Sequence, residues 1–239
     1  MSWEKKYGAH PNKIDVIYNG IDSDLFVPAP KPAHLENVPT VVAAARIFEL
    51  KDVITMIKSC EVAKRSIPNV RYLVYGDNNA VPTYTKECMD LIKELKLENN
   101  FFLAGYHDKP HQLFCEGDIS ILTSISEGFP YTVLESMSCG VPVVATDVGG
   151  VTEALDETCG FICKPKDHES LGRSVVTLLQ DDVLRKKMGA TARKKVIDNF
   201  TIDKFIKEYE MAYEFIMNKK AQDPIYLHSH MQQEAMEAS

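Results

Sequence analysis

Two carboxylates, Glu127 and Glu135, enclose the seven-residue run GFPYTVL, and their spacing is the feature of this sequence best suited to chemistry. On an unbroken helix they would lie about 12 Å apart along the axis, at about 1.5 Å per residue. The run itself argues against an unbroken helix, because Gly128 permits a tight turn and Pro130 is tolerated in a helix only near its first turn. The sequence therefore predicts Glu127 in a loop and Glu135 about one turn into a helix.

The flanking residues predict a strand that turns into this helix. The segment DISILT at 118–123 has the pattern of a short apolar strand, and 132–139 has that of a helix closed by a glycine. At the start of such a helix the backbone N–H groups of Tyr131, Thr132 and Val133 would lack helical partners. Free amides at a helix start favour an anion, phosphate above all.

Two cationic residues lie at a second predicted junction between a strand and a helix. Arg46 ends the first predicted core strand, and Lys51 opens the helix that follows. A guanidinium fork and an ammonium in one loop suit a diphosphate, and each charged hydrogen bond contributes about 1.5–3 kcal/mol. The residues alone leave two alternatives open: Arg46 could be merely solvated, and Glu127 and Glu135 could have no catalytic role. The sequence contains neither the GxGxxG nor the GxxxxGK(S/T) string, which disfavours dinucleotide redox enzymes and P-loop enzymes.

Composition limits the classes further. The chain has 239 residues, 45% of them hydrophobic, and a formal net charge of −7 without a long basic run, which argues against nucleic-acid binding. No apolar stretch approaches the roughly 20 residues of a membrane span, so we expect a cytoplasmic protein. Six scattered cysteines match no zinc spacing, and His107 and His111 lack a third ligand nearby, so we expect reduced thiols and no metal site.

Short apolar strands alternate with helices from residue 39 onward. This rhythm predicts the α/β class: a Rossmann-like, doubly wound parallel sheet of six strands, followed by three closing helices. Ligands of such sheets bind at the carboxyl ends of the strands. The loops at that edge are expected to begin at Arg46, Gly76, Gly105, Ser124 and Thr146.

Three regions are expected along the chain. Residues 1–38 have the pattern of a helix end followed by a proline-rich linker, 39–217 form the αβ domain, and 218–239 are a polar tail that we expect to be poorly ordered. The first region is expected to be the residual end of a preceding domain.

Several segments together resemble the C-terminal half of the retaining GT-B glycosyltransferases of family 4. They are VIYNGIDSDLF, the pair Arg46 and Lys51, the block TSISEGFPYTVLESMSCGVPVVATDVGG and the final FTIDKFIKEYEMAY. The similarity runs over about residues 6–217. Finer features, among them PTYTKEC and LTSISE, resemble the subgroup that includes the Pel exopolysaccharide glycosyltransferase.

The resemblance implies a role for each matching residue. Arg46 and Lys51 would grip the donor diphosphate and stabilise the leaving group without a metal ion. Glu135 would accept hydrogen bonds from the ribose, and Glu127 would lie by the sugar and its anomeric carbon. The remaining implied contacts are with the sugar (Gly128, Phe129, Pro130), the phosphates (Tyr131, Thr132) and the base (Gly76, Gly105, Tyr106).

The sequence departs from the family pattern at two places. The family often has a glycine after the lysine, where this chain has Asp52, and often has Gly-Asp-Gly after the second strand, where this chain has Gly76-Asp77-Asn78. The second departure leaves the base selectivity open.

The resemblance implies a donor-binding domain that takes a nucleotide-sugar, a UDP-hexose by the subgroup, with no cofactor. The acceptor, a glycan, lipid or small molecule, would be held by an N-terminal domain, so we expect the chain alone to bind donor without transferring sugar. Peripheral membrane association of a full-length protein is compatible with this function. Alternatives are a non-catalytic nucleotide-sugar-binding or scaffold subunit of a polysaccharide assembly system, an epimerase or phosphorylase of GT-B shape, and the disfavoured dehydrogenase.

Overall fold

A computed structural model describes residues 15–221, with side chains for 15–218. Most of the predicted tail and the predicted helix end at 1–13 lie outside these residues. Within the described part of the chain, residues 21–201 form one compact unit. Residues 15–20 and the last helix belong to a second unit.

Six short strands form the centre of the compact unit, and every pairing between them is parallel. They are β1 (Thr40–Ala44), β2 (Arg71–Tyr75), β3 (Phe101–Gly105), β4 (Ile119–Leu122), β5 (Val143–Thr146) and β6 (Gly160–Cys163). The strand order is β3-β2-β1-β4-β5-β6. The predicted doubly wound α/β sheet is confirmed. The order reverses direction between β1 and β4, so these neighbouring strands form the topological switch point of the sheet.

Seven α-helices follow or separate these strands in the described residues. They are α1 (Val53–Ser66), α2 (Pro82–Glu94), α3 (Tyr131–Ser138), α4 (Val151–Ala154), α5 (His168–Gln180), α6 (Asp182–Asn199) and α7 (Ile202–Ala221). Two 3₁₀ helices, Glu49–Lys51 and Pro110–Glu116, lie in loops. The last three α-helices are the predicted closing helices. None of the helices in the described residues is long and apolar enough to cross a membrane.

Both faces of the sheet are covered. Successive side chains of a strand point to opposite faces, and in β1 both Val41 and Val42 have no solvent exposure. Val41 belongs to the larger apolar cluster, which includes residues of α1, α2 and α5. Val42 belongs to a second cluster with Phe114 and Cys139. A strand buried on both faces explains the uninterrupted apolar runs in the sequence.

Gly172 lets α5 approach α1 closely. A Cβ atom at this position would lie 2.5 Å from the Cβ of Val62 and 2.8 Å from the carbonyl oxygen of Ser59. Both distances are shorter than a van der Waals contact, and one of the opposing atoms belongs to the backbone, which cannot rotate away.

We therefore expect Gly172→Ala to lower the free energy of unfolding by about 1–2 kcal/mol, because overpacking outweighs the better helix propensity of alanine. Urea denaturation followed by circular dichroism measures this change. Gly128→Ala is the matched control, since no atom lies within 4 Å of its added Cβ. Equal stability of the Gly172→Ala and wild-type chains would contradict the close packing of α1 and α5.

Candidate functional site

The loops at the carboxyl edge of the sheet touch one another through their backbones. On one side, the N–H of Gly76 donates to the carbonyl of Gly105 at 2.7 Å, which joins the loops after β2 and β3. A Cβ on Gly76 would lie 2.1 Å from the carbonyl oxygen of Ala45, so this position requires glycine. The structure thus brings the predicted base contacts Gly76 and Gly105 together, beside the end of β1. Tyr106 follows them with 79% of its surface exposed.

The loops after β4 and β5 meet in the same way on the other side. The N–H of Gly150 donates to the carbonyl of Gly128 at 2.6 Å. Gly149 has a left-handed conformation (φ 54°), and a Cβ there would lie 1.8 Å from the carbonyl oxygen of Glu127. The glycine pair after β5 is therefore needed for the close approach that holds the Glu127–Gly128 turn. Two adjacent glycines are a sequence signal of such an approach, but this role was not among the predictions.

The segment from Arg46 to Lys51 carries the two predicted cations. Arg46 is exposed, and the central carbon of its guanidinium lies 5.0 Å from the centre of the Phe48 ring. Within residues 15–218 it makes no ion pair. Lys51 ends the short 3₁₀ helix, and its side chain is only 20% exposed.

Lys51 forms an ion pair with Glu127 across the topological switch point. Its Nζ atom lies 2.5 Å from Oε1 of Glu127, whose side chain is 12% exposed. The hydroxyl of Ser124 donates to the same carboxylate oxygen at 2.6 Å. The hydroxyl of Thr123 donates to the carbonyl of Lys51 at 2.9 Å. Side chains from the β1 and β4 loops therefore hold this partly buried pair, which unites a predicted cation with a predicted carboxylate 76 residues away.

Glu127 and Glu135 occupy the predicted loop and helix positions. The helix α3 begins at Tyr131, immediately after Pro130, so Glu135 lies at its fifth residue. One detail of the prediction is wrong: the N–H of Val133 is not free, because it donates to the carbonyl of Pro130 at 3.2 Å. The amides of Tyr131 and Thr132 have no partner within the described residues.

Thr132 adds a second polar group at this helix start. Its hydroxyl oxygen is buried and makes no hydrogen bond in the described part of the chain. A buried hydroxyl without a partner costs free energy, which a bound water or another polar group offsets. The two free amides of Tyr131 and Thr132 offer donors at this helix start, which can bind an anion.

Glu135 is a partly buried carboxylate with no ion pair in residues 15–218. Burial disfavours its charged form and raises the pKa of the carboxyl group to about 6. Between the ordinary pKa of a glutamate and this value, the folded chain binds more protons than the unfolded chain. Stability is therefore highest below the ordinary pKa and falls as the pH rises through about 6.

We expect Glu135→Gln to raise the free energy of unfolding at pH 7.5 by about 1–2 kcal/mol, because it removes a buried charge that has no partner. Urea denaturation at pH 4.5 and 7.5 measures this gain, which should shrink at the lower pH, where the wild-type carboxyl group is protonated. An identical difference at the two pH values would show that the raised pKa of Glu135 is wrong.

Asp52 explains one departure from the family pattern. It adopts a left-handed conformation (φ 45°), which glycine reaches most easily. Its carboxylate accepts hydrogen bonds from the N–H and the hydroxyl of Thr55 and so caps α1. The backbone of residue 52 thus keeps a conformation suited to glycine. The helix cap that the aspartate side chain provides offsets the cost of the strained φ.

His107, one of the two histidines considered above as metal ligands, has other partners. Nδ1 of His107 accepts a hydrogen bond from the N–H of Lys109, and its Nε2 lies 3.1 Å from the carboxylate of Glu116. Glu116 also accepts a hydrogen bond from the hydroxyl of Tyr75. In the described residues no three His, Cys, Asp or Glu side chains form a metal-binding group. All six cysteines are buried free thiols.

Comparisons with known proteins found similar sequences and structures. A family model described as "Glycosyl transferases group 1" matches residues 29–195. The chain is 27% identical to the N-acetyl-alpha-D-glucosaminyl L-malate synthase of Bacillus anthracis over 211 residues, which cover 85% of this chain and 54% of that protein. It therefore spans about half the length of this curated relative.

Several solved structures share the fold, among them one from Rickettsia africae and one from Anabaena. A glycosyltransferase from Rickettsia africae ESF-5 is 27% identical with a TM-score of 0.81, and the match covers 88% of this chain and 59% of that one. The Alr3699/HepE protein of Anabaena, solved in complex with UDP, is 24% identical with a TM-score of 0.81. That match covers 88% of this chain and 60% of the Anabaena chain. These likenesses confirm the predicted GT-B type of fold.

Proposed function

Because the chain belongs to the glycosyl transferases group 1 family, we propose that the carboxyl edge of its sheet binds the nucleotide-sugar donor of a hexosyl transfer. The proposed reaction is of the retaining, metal-independent kind found in family 4. The observation that carries this proposal is the Lys51–Glu127 ion pair at the topological switch point. Open α/β sheets bind their ligands in this crevice.

The diphosphate is the part of the donor that the site suits best. Lys51 has three N–H donors and gives one to Glu127, which leaves two for phosphate oxygens. Arg46, in the same loop after β1, is exposed. With the amides of Tyr131 and Thr132, these cations would stabilise the negative charge that grows on the diphosphate as the sugar departs, which is a role that preorganised donors fill in other enzymes.

The carboxylates would place the sugar and the ribose. Oε1 of Glu127 accepts from both Lys51 and Ser124, while Oε2 makes no hydrogen bond within the described residues and is available to a sugar hydroxyl. Glu135, ionised above pH 6, would accept hydrogen bonds from the ribose hydroxyls.

Backbone groups complete the proposed donor site. Gly128, Phe129 and Pro130 would contact the sugar beside Glu127. The base would lie against the adjoining loops of Gly76 and Gly105, where the exposed ring of Tyr106 offers an apolar face.

The proposal for the whole protein goes further. The match covers 54% of the Bacillus anthracis relative, and we propose that an N-terminal domain of the whole protein holds the glycan, lipid or small-molecule acceptor. Residues 39–217 would then be the donor-binding domain of a cytoplasmic enzyme in polysaccharide synthesis, with peripheral membrane association open to test. On this proposal the chain alone binds donor and does not transfer sugar.

The proposal predicts that the chain binds UDP and that Arg46→Ala weakens binding about 10- to 100-fold, the loss of one or two charged hydrogen bonds. Isothermal titration calorimetry measures both affinities. UDP is the first ligand to test because the Anabaena protein of the same fold was solved with it. Arg65→Ala is the matched control, since Arg65 is an exposed arginine of α1 that pairs with Glu61.

Two results would sink the proposal: no binding of UDP or UDP-sugars at millimolar concentration, or unimpaired binding by Arg46→Ala. Sugar transfer by this chain alone would refute only the claim that it is inactive without its acceptor domain.

A further inference from the structure

Phe48 contacts the cation that the proposed site depends on. Its half-buried ring lies under the Arg46 guanidinium, with 5.0 Å between the central carbon and the ring centre. This distance is within the range of a cation–π interaction. Phe48 is the one aromatic residue that contacts the Arg46 guanidinium in the described residues, and the guanidinium has no ion pair there that would hold it instead.

The backbone of Phe48 also links the two cations. Its N–H donates to the carbonyl of Arg46 at 3.1 Å, and its carbonyl accepts from the N–H of Lys51 at 3.0 Å. Phe48 is extended (φ −156°, ψ 166°) and comes directly before the 3₁₀ helix that ends at Lys51. The residue therefore fixes the path of the chain between Arg46 and Lys51, while its side chain limits where the arginine can point.

We propose that Phe48 is a positioning residue that holds the Arg46 guanidinium ready for the donor diphosphate. This inference rests on the proposed function of the site. An arginine side chain has many rotamers, and binding an anion with a mobile arginine costs the entropy of ordering it. Contact with the ring confines the guanidinium before the ligand arrives, so less of that cost falls on binding. An aromatic ring serves here because it attracts the cation without competing for its N–H donors.

The contribution of Phe48 is expected to be modest. Removing an exposed cation–π contact should weaken UDP binding about two- to five-fold. Phe48→Leu removes the aromatic face and keeps an apolar side chain, and Phe48→Met is a second non-aromatic variant. Phe48→Tyr keeps the face and should retain wild-type affinity. Leu50→Ala, an exposed residue of the same 3₁₀ helix, is the control and should bind UDP like the wild type.

A double-mutant cycle separates positioning from a general structural role. UDP binding is measured by NMR titration for wild type, Phe48→Leu, Arg46→Ala and the double variant. If Phe48 acts through Arg46, its replacement costs affinity in the wild-type background and nothing further in the Arg46→Ala background. The Nε–H resonance of Arg46 provides a second readout, since loss of the ring current of Phe48 should move it.

The outcomes distinguish this inference from the proposed function. Three results would overturn the role of Phe48 while UDP binding is still observed. They are an equal loss of affinity in both backgrounds, no loss of affinity in Phe48→Leu and Phe48→Met, and tighter binding by either variant. Failure of the wild type to bind UDP, or unimpaired binding by Arg46→Ala, would overturn the proposed function itself.

Discussion

The ion pair between Lys51 and Glu127 is the interaction on which the candidate site depends. It joins the loop after β1 to the loop after β4, with both side chains largely shielded from water. Breaking a partly buried pair would leave a charge without its partner. Ser124 supports the carboxylate, and Thr123 supports the backbone of Lys51. The pair fixes where the cation lies relative to the start of α3.

The topology of the sheet makes this pairing possible. In the order β3-β2-β1-β4-β5-β6, the first and fourth strands are neighbours, so residues far apart in sequence reach the same point on the carboxyl edge. Glycines then allow the loops to touch: Gly76 lies against Ala45, and Gly149 lies against Glu127. Side-chain electrostatics and backbone sterics thus act at one place, and the proposed donor site is assembled from loops that a rigid parallel sheet holds together.

Much of this arrangement could be predicted from the sequence because it depends on local patterns. Apolar runs identified the strands, and Gly128 and Pro130 identified the turn that places Glu127 in a loop and Glu135 in the helix. The contact of Lys51 with Glu127 could not be predicted from the residues alone, because it depends on strand order. Three-dimensional packing also decided the raised pKa of Glu135, which its burial causes. The pattern of charges predicted the candidate site, and the tertiary structure determined which of its residues are in contact.

The central claim is that the nucleotide diphosphate binds at the start of α3, beside Lys51. A ¹⁵N-resolved NMR titration of the chain with UDP tests it most directly. We predict that the backbone amide resonances of Tyr131 and Thr132 show the largest chemical-shift changes, because these N–H groups gain phosphate oxygens as partners. Their titration curves should give the same dissociation constant as those of the other signals that shift. Saturation with UDP that leaves both amides unmoved while signals elsewhere shift would contradict the account.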